Sequence, residues 1–145
     1  MTDMASVRIV ARPPDAETFR QFRAALGWGE MTLAQAERAV GAAHYDVVAM
    51  RGEEIIGFGR VTGDGVVNFH LDDVIVKDSC RGQGVGQQIV AALLRWIDEV
   101  AIPEAMISLT ASAGMEPFYE RFGFSISPPE GYGHGMMRLL DNASD

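Results

Sequence analysis

The chain has 145 residues and a mass of 15.7 kDa; 48% of its residues are hydrophobic and 22% are charged. This length and composition indicate one globular domain, and they exclude a chain that is disordered, collagen-like or coiled-coil throughout. The net charge of −8 argues against a general binder of nucleic acid or of anionic membranes, because such proteins need a surplus of Lys and Arg.

The sequence contains no pattern that indicates export, a membrane helix or a metal site. Cys80 is its only cysteine, so an intrachain disulfide is excluded and a reducing compartment is indicated. No apolar run approaches the roughly 18 residues of a membrane helix, and the first residues lack the apolar core of a secretory signal. We therefore expect a soluble cytoplasmic protein without a bound metal.

The first two predicted elements are an edge strand and a helix. Ser6–Arg12 alternates apolar and polar residues, as an edge strand does, and Pro13-Pro14 ends it. Asp15 is a helix start signal, and the apolar residues that follow it recur at helical spacing. These signals predict a helix over roughly Pro14–Leu26.

A second helix and a hairpin follow. Thr32 and Gln35 have the spacing of a capping box, which predicts a helix over Thr32–Val40. Two β-type runs, Tyr45–Met50 and Ile55–Val61, flank a short turn-like segment. Together they predict an antiparallel hairpin.

The middle of the chain predicts a long strand, a glycine-rich turn, a helix and a further strand. Val66–Val76 is too long for a straight strand, and we expect a bulge near Asp72-Asp73. Lys77–Gly86 is polar and glycine-rich, and the apolar residues after it recur at i, i+3, i+4 spacing. With a strand over Met106–Thr110, this order predicts a right-handed parallel crossover.

The last part of the chain predicts a short helix over Met115–Phe122 and two strands, Phe124–Ile126 and Met136–Leu140, around a loop rich in proline and glycine. The whole chain, residues 1–145, is thus predicted to be a single domain of the α/β (α+β) class. Its mixed central sheet would have six to seven strands and four helices in the order βααβββαβαββ.

The sharpest motif is Arg81-Gly82-Gln83-Gly84-Val85-Gly86, between a buried-looking strand and an amphipathic helix. The free N–H groups and the dipole of a helix start attract anions, and glycines let the backbone approach a phosphate closely. It is not a Walker A loop, because Gln87-Gln88 follows where Lys and Ser or Thr are needed. It is not the dinucleotide motif G-x-G-x-x-G either, because the third glycine position holds Gln87 when the motif is read from Gly82 and Ile89 when it is read from Gly84. The pattern R-x-x-G-x-G remains.

Two motifs resemble those of the GCN5-related N-acetyltransferase (GNAT) superfamily. The stretch Asp73–Gly86 looks like its acetyl-CoA-binding motif, and Phe118-Tyr119-Glu120-Arg121-Phe122-Gly123-Phe124 resembles its F-Y-x-x-x-G-F element. The spacing, the order of elements and the chain length also agree. The stretch from Asp73 through Met137 is similar to small bacterial, cyanobacterial and plastid members, some of which act on arylalkylamines such as serotonin.

The resemblance implies that acetyl-CoA is the donor and assigns residues to it. In the family, the strand before the turn splays from its parallel neighbour and pairs with the pantetheine amides, and one of its N–H groups, near Val74 here, holds the oxyanion. Ser112 stands where the family often has asparagine. The cofactor-binding residues implied are Val74, Ile75 and Val76 for pantetheine, Arg81, Gly82, Gln83, Gly84, Val85, Gly86 and Gln87 for pyrophosphate, and Ser112.

The resemblance also makes Tyr119 the general acid that protonates the departing CoA thiolate. The alternative is an aromatic residue that only packs its helix against the sheet.

Candidates for removing the proton of the attacking amine, or for binding a cationic amine, are His70, Asp72 and Asp73. Strand alternation puts His70 and Asp72 on one face and Asp73 on the other, unless a bulge resets it. A water path without an essential base is the alternative.

The amine pocket is expected to include Trp28 and the late loop with His134, which would suit an apolar or aryl amine. Trp28 as a core residue and His134 as a solvated one are the alternatives. The expected partner is a small primary amine, with a homodimer implied by resemblance only. Three other functions stay open: acetylation of a protein N-terminus or lysine, a non-catalytic acyl-CoA sensor, and a nucleotide-phosphate binder.

Overall fold

The computed structural model describes residues 6–140. The chain forms two compact units, Met1–Thr110 and Ala111–Asp145, so the single domain expected from length stays a prediction. The elements in chain order are β1 Arg8–Val10, α1 Ala16–Ala25, α2 Leu33–Val40, β2 Tyr45–Arg51, β3 Glu54–Gly63, β4 Asn68–Val76, a 3₁₀ turn Asp78–Cys80, α3 Val85–Val100, β5 Met106–Leu109 and α4 Glu116–Glu120.

The first unit contains a mixed sheet with the strand order β1-β2-β3-β4-β5. The pairs β1–β2, β2–β3 and β3–β4 are antiparallel, whereas β4 and β5 are parallel and joined through α3. The mixed sheet, the four helices, the hairpin and the edge position of β1 confirm the predictions from the sequence.

The predicted count of six to seven strands is not confirmed, because residues 6–140 contain five. Phe124–Ile126 and Met136–Leu140 form no strand. The N–H of Phe124 donates to the carbonyl of Tyr119 at 3.4 Å, so the first segment closes the turn that ends α4. In the second segment, Met136, Leu139 and Leu140 are 82–96% exposed, so its apolar side chains are not buried as those of a core strand are. The apolar pattern at the end of the chain therefore does not by itself specify strands.

Both predicted helix caps are present. The Asp15 carboxylate accepts from the backbone N–H of Thr18 at 3.1 Å and so caps α1. At α2, the Thr32 hydroxyl accepts from the N–H of Gln35 at 3.1 Å, and the Gln35 side chain accepts from the N–H of Thr32 at 2.9 Å. Each cap satisfies N–H groups that a helix start otherwise leaves unpaired, so the two helices begin where the sequence places them.

The two faces of the sheet are covered by different helices. On one face, Phe58 of β3 packs against Phe19 and Phe22 of α1, with ring centroids 5.8 Å and 5.2 Å away, in a cluster that includes Ala36 of α2. On the other face, α3 lies so close to β3 that only glycine fits beneath it. A Cβ atom on Gly59 would be 2.7 Å from Cγ2 of Ile89.

The second unit contains α4 and a small aromatic cluster. The ring of Phe118 lies 5.0 Å from that of Tyr119 and 5.5 Å from that of Phe122, and Tyr119 lies 6.2 Å from Phe124. These edge-on contacts within one motif hold Tyr119 half-buried. Among the helices within residues 6–140, none is long and apolar enough to cross a membrane.

The close approach of α3 to β3 gives a test of the fold. We expect Gly59→Ala to lower the free energy of unfolding by about 1–3 kcal/mol, because the new methyl group overlaps a β-branched side chain that cannot swing away. Urea unfolding followed by circular dichroism measures the change.

Gly41→Ala is the matched control. A Cβ atom there would be 3.6 Å from its nearest neighbour, and the backbone of Gly41 is right-handed, so we expect a change within about 0.5 kcal/mol. Equal stabilities for the two variants would contradict the packing of α3 against β3.

Candidate functional site

The carboxyl end of β4 leaves one edge without a partner strand. The ladder between β4 and β5 ends at the pair Leu71–Leu109, whereas β4 continues to Val76. On the opposite edge β4 remains paired with β3, and the N–H of Lys77 donates to the carbonyl of Ile56 at 2.7 Å. Within the described chain, β5 therefore ends while β4 continues, and the last residues of β4 have no strand partner on that side. The splay of the two strands that the resemblance implies stays a prediction.

The backbone groups at this open edge belong to alternate residues. Val76 is paired with Gly57, and the bond from Lys77 to Ile56 makes this a pair whose own N–H and C=O groups point away from β3. Ile75, paired with Phe58, is the adjacent pair whose groups face β3, so counting back from it we expect the N–H and C=O groups of Val74 to face the open edge as well. A ligand that lies along β4 would then meet two donors and two acceptors.

A bulge lies at the start of this open segment. Arg60 is paired with Asp72 and Phe58 with Ile75, so two residues of β4, Asp73 and Val74, stand opposite one residue of β3. Asp73 has a φ of 51°, in the left-handed region that few non-glycine residues adopt. The bulge predicted near Asp72-Asp73 is confirmed.

The bulge changes the face on which Asp73 lies. Phe69 contacts Trp96 of α3, whereas Asp73, four residues later, contacts Arg23 of α1 on the opposite face. Asp72 is paired with Arg60, which also contacts Asp73, so Asp72 and Asp73 lie on the same face. Simple alternation, which separated them, is wrong here because the bulge inserts one residue.

Two arginines hold the side chain of Asp73. Oδ2 accepts from Nε of Arg60 at 2.9 Å, and Oδ1 accepts from Nη1 of Arg23. The side chain of Asp73 is only 1% exposed. Its carboxylate is thus fully engaged and shielded from solvent, which does not suit a base that must meet an amine.

His70 and Asp72 are more accessible than Asp73. Both side chains are half-buried, and Nδ1 of His70 lies 3.1 Å from the hydroxyl oxygen of Ser108 on β5. His70 is paired with Ser108 in the next-to-last pair of the β4–β5 ladder. His70, Asp72 and Asp73 thus lie in the middle of β4, around the end of that ladder.

The glycine-rich turn has the backbone of an anion site. Gly82 and Gly84 have φ values of 78° and 81°, and a Cβ atom on either would meet no other atom within 4 Å. Within residues 6–140 no side chain caps α3, and the first helical bond runs from the N–H of Gln88 to the carbonyl of Gly84. The N–H groups of the first turn, Val85 to Gln87, are therefore available to a ligand.

Arg51, the last residue of β2, contacts this turn, which the sequence did not indicate. Nη2 of Arg51, at the end of β2, donates to Oε1 of Gln83 at 2.9 Å and so ties the turn to the sheet. Arg81 is more exposed and pairs with Asp78 at 3.6 Å. Cys80 is buried under the turn, which agrees with a packing role rather than a nucleophilic one.

The remaining predicted residues are placed as follows. Trp28 follows α1 and is 37% exposed, so it is not a core residue, and the guanidinium of Arg23 lies 5.5 Å from its ring centroid. In the second unit, Ser112 precedes α4 and is exposed, as is His134.

Burial raises the pKa of the Tyr119 hydroxyl, which keeps it protonated, as a general acid must be.

Comparison with known proteins decides the family. The family model described as Acetyltransferase (GNAT) domain matches residues 13–139. The chain belongs to this family. The resemblance stated from its two motifs is thereby confirmed, and the members of this family use acetyl-CoA.

Three relatives illustrate the match. An "uncharacterized N-acetyltransferase ycf52-like" of Prochlorococcus marinus is 27% identical over 124 residues, which cover 81% of this chain and 66% of that protein. The chloroplastic serotonin N-acetyltransferase 2 of Oryza sativa subsp. japonica is 33% identical over 73 residues, or 50% of this chain and 36% of the enzyme. This chain thus spans less than two thirds of either.

The third relative is a solved structure. A Staphylococcus aureus protein described as "Probable Acetyltransferase" superposes with a TM-score of 0.81 at 29% identity, covering 93% of this chain and all of that one. The match extends over both compact units of the chain. Among the described residues, no group of three or more His, Cys, Asp or Glu side chains is placed to hold a metal ion.

Asp46 gives a test of the electrostatics beside the site. It is paired with Arg60 across β2 and β3, and burial raises its pKa from 3.8 to about 6 in spite of that guanidinium. Because the folded protein binds this proton more tightly than the unfolded chain, the stability it contributes is present below pH 4 and is lost as pH rises to about 6. In Asp46→Asn this pH-dependent loss of stability is absent, because the amide of asparagine does not ionise in this pH range.

The unfolding free energy of Asp46→Asn relative to the wild type is therefore expected to rise by about 1 kcal/mol between pH 4 and pH 6.5, allowing for solvent screening at a half-buried site. Urea titrations at four pH values measure it. Asp98→Asn, on the exposed surface of α3, should run parallel to the wild type. A parallel curve for Asp46→Asn would contradict the raised pKa.

Proposed function

We propose that this protein is an acetyl-CoA-dependent N-acetyltransferase that acts on a small primary amine. One observation carries the proposal: the open edge of β4 leads directly into a turn whose N–H groups begin α3 without a side-chain cap. An extended ligand with amides at one end and phosphates at the other fits this succession, because each part meets the backbone groups that it needs.

The donor-binding groups follow from this fit. The backbone groups of Val74 and Val76 pair with the pantetheine amides as a further strand would, and the N–H groups of Val85 to Gln87 bind the pyrophosphate. Gly82 and Gly84 keep that approach free of side chains, since a Cβ atom there would fill the open space in front of the turn. Ile75 points its backbone groups to β3 and supports the strand.

The reaction is a direct transfer. The acetyl thioester supplies an electrophilic carbonyl, and the neutral amine nitrogen forms the new C–N bond while the C–S bond breaks. The N–H of Val74 stabilises the oxyanion, and Tyr119 donates a proton to the leaving thiolate. The proton of the amine passes to His70, to Asp72 or to water rather than to Asp73, whose oxygens are both engaged.

An apolar or aryl amine is the acceptor that we favour. Trp28 presents an exposed aromatic surface in the segment between α1 and α2, and the rice relative is by name a serotonin N-acetyltransferase. A role of His134 in binding the acceptor stays a prediction from the sequence. A homodimer and a cytoplasmic location remain predictions from the sequence.

The proposal is tested by CoA-thiol release with acetyl-CoA and a panel of aryl and alkyl amines, a lysine peptide and a free N-terminal peptide. We expect turnover with a small aryl amine and less with the peptides. Binding of acetyl-CoA without turnover of any acceptor would instead favour the sensor, and a larger thermal shift with ATP than with acetyl-CoA would favour the nucleotide-phosphate binder.

In the same assay, Tyr119→Phe should lower kcat by about 100-fold or more, the range of a lost general acid, and leave the acetyl-CoA Kd nearly unchanged. Tyr45→Phe is the control, because that tyrosine stacks on Trp96 of α3 and should keep the wild-type kcat. A wild-type kcat for Tyr119→Phe would exclude Tyr119 as the acid.

A further inference from the structure

We propose that Asp73 is a positioning residue: clamped between Arg23 and Arg60, it fixes the β4 bulge and the Trp28 segment relative to each other. The inference rests on the proposed function and adds to it a residue that acts on both substrates at once. We call Asp73, Arg23 and Arg60 the bulge clasp.

The first argument is the backbone of Asp73. Its φ of 51° is a conformation that costs an L-residue free energy, so neighbouring groups must hold it. The two guanidinium contacts come from two different elements, Arg23 on α1 and Arg60 on β3. Together with the paired backbone of β4 on either side of the bulge, they define one position for the carboxylate.

The second argument is what else the two arginines hold. Nη1 of Arg60 donates to the carbonyl of Ala39 in the last turn of α2 at 2.7 Å. Nη2 of Arg23 approaches the carbonyl of Trp28 at 3.4 Å, and its guanidinium lies over the Trp28 ring. One buried carboxylate is therefore connected to β4, to both helices of its face and to the segment that carries the exposed tryptophan.

The third argument is that this arrangement joins the two halves of the reaction. The residue after Asp73 is Val74, whose N–H we expect at the open edge, so the conformation of the bulge sets its direction. Trp28 is the candidate wall of the amine pocket. A loosened clasp would misdirect the Val74 N–H, which lowers kcat, and displace Trp28, which raises the amine KM. The N–H groups of Val85 to Gln87 belong to α3 and would keep their hold on the pyrophosphate.

The test compares Asp73→Asn with Arg23→Gln and with their double variant. For Asp73→Asn we expect kcat to fall about tenfold or more and the amine KM to rise several-fold, with the acetyl-CoA Kd within about twofold of the wild type. In kcat, the double variant should be no worse than Asp73→Asn alone, because it also removes one of the two guanidinium groups left without a carboxylate. Its amine KM should be at least as high, because Arg23 also contacts Trp28. Asp98→Asn and Arg38→Gln, both on exposed helix surfaces, should match the wild type.

The pH profile separates positioning from proton removal. If Asp73 only holds the bulge and the Trp28 segment in place, the pH profile of kcat/KM in Asp73→Asn keeps both limbs of the wild-type profile, and only its plateau is lower. Loss of the acidic limb in Asp73→Asn, with the amine KM unchanged, would make Asp73 the base and overturn the proposal. Wild-type kinetics for Asp73→Asn would overturn it as well.

Further variants and measurements keep the inference testable if Asp73→Asn does not fold or if the wild type acetylates no amine. If Asp73→Asn does not fold, Arg60→Lys keeps the charge but loses the forked geometry, and the same split between kcat, amine KM and acetyl-CoA Kd is expected. If the wild type acetylates no amine, the proposed function fails, yet hydrogen exchange at the Val74 amide and Trp28 fluorescence still report the clasp. Both signals should change in Arg60→Lys. If both stay as in the wild type, the inference is overturned.

Discussion

The end of the pairing between two parallel strands is the constraint on which the rest of this structure depends. While β4 and β5 are paired, their backbone groups satisfy each other. Beyond Leu71 and Leu109 this pairing stops, and β4 continues to Val76 with only β3 beside it. Backbone groups at a sheet edge need a partner, so a strand that ends in this way is a template for an extended ligand. α3 then begins with free N–H groups next to the same strand end, which extends the template to an anion.

The sheet keeps this edge in place by close packing and by charge. Glycine at position 59 lets α3 press against β3, and the Phe58 cluster holds α1 and α2 on the opposite face. Asp73 lies where these layers meet the edge. Burying a carboxylate is costly unless it is paired, and two guanidinium groups provide the pairing. The two ion pairs thus connect β4 to α1 and to β3 at the bulge.

Local signals in the sequence predicted most of the fold and part of the site. The caps at Asp15 and Thr32, the hairpin and the glycine turn depend on neighbouring residues, so they could be predicted without tertiary information. The pairing of Arg23 with Asp73 joins residues 50 positions apart and that of Arg51 with Gln83 residues 32 apart, so no local pattern reveals them. Alternation failed at Asp73 because one inserted residue reverses the face. The last strands were not confirmed because apolar spacing does not show whether a segment is buried, and Met136, Leu139 and Leu140 are 82–96% exposed.

The central claim is that the open edge of β4 pairs with the donor, and amide hydrogen exchange resolved by residue tests it most directly. On addition of acetyl-CoA, exchange of the Val74 and Val76 amides should slow by about tenfold or more, whereas the Lys77 amide, already bonded to Ile56, should not change. Protection limited to the amides of Val85 to Gln87, with Val74 and Val76 unaffected, would contradict the account.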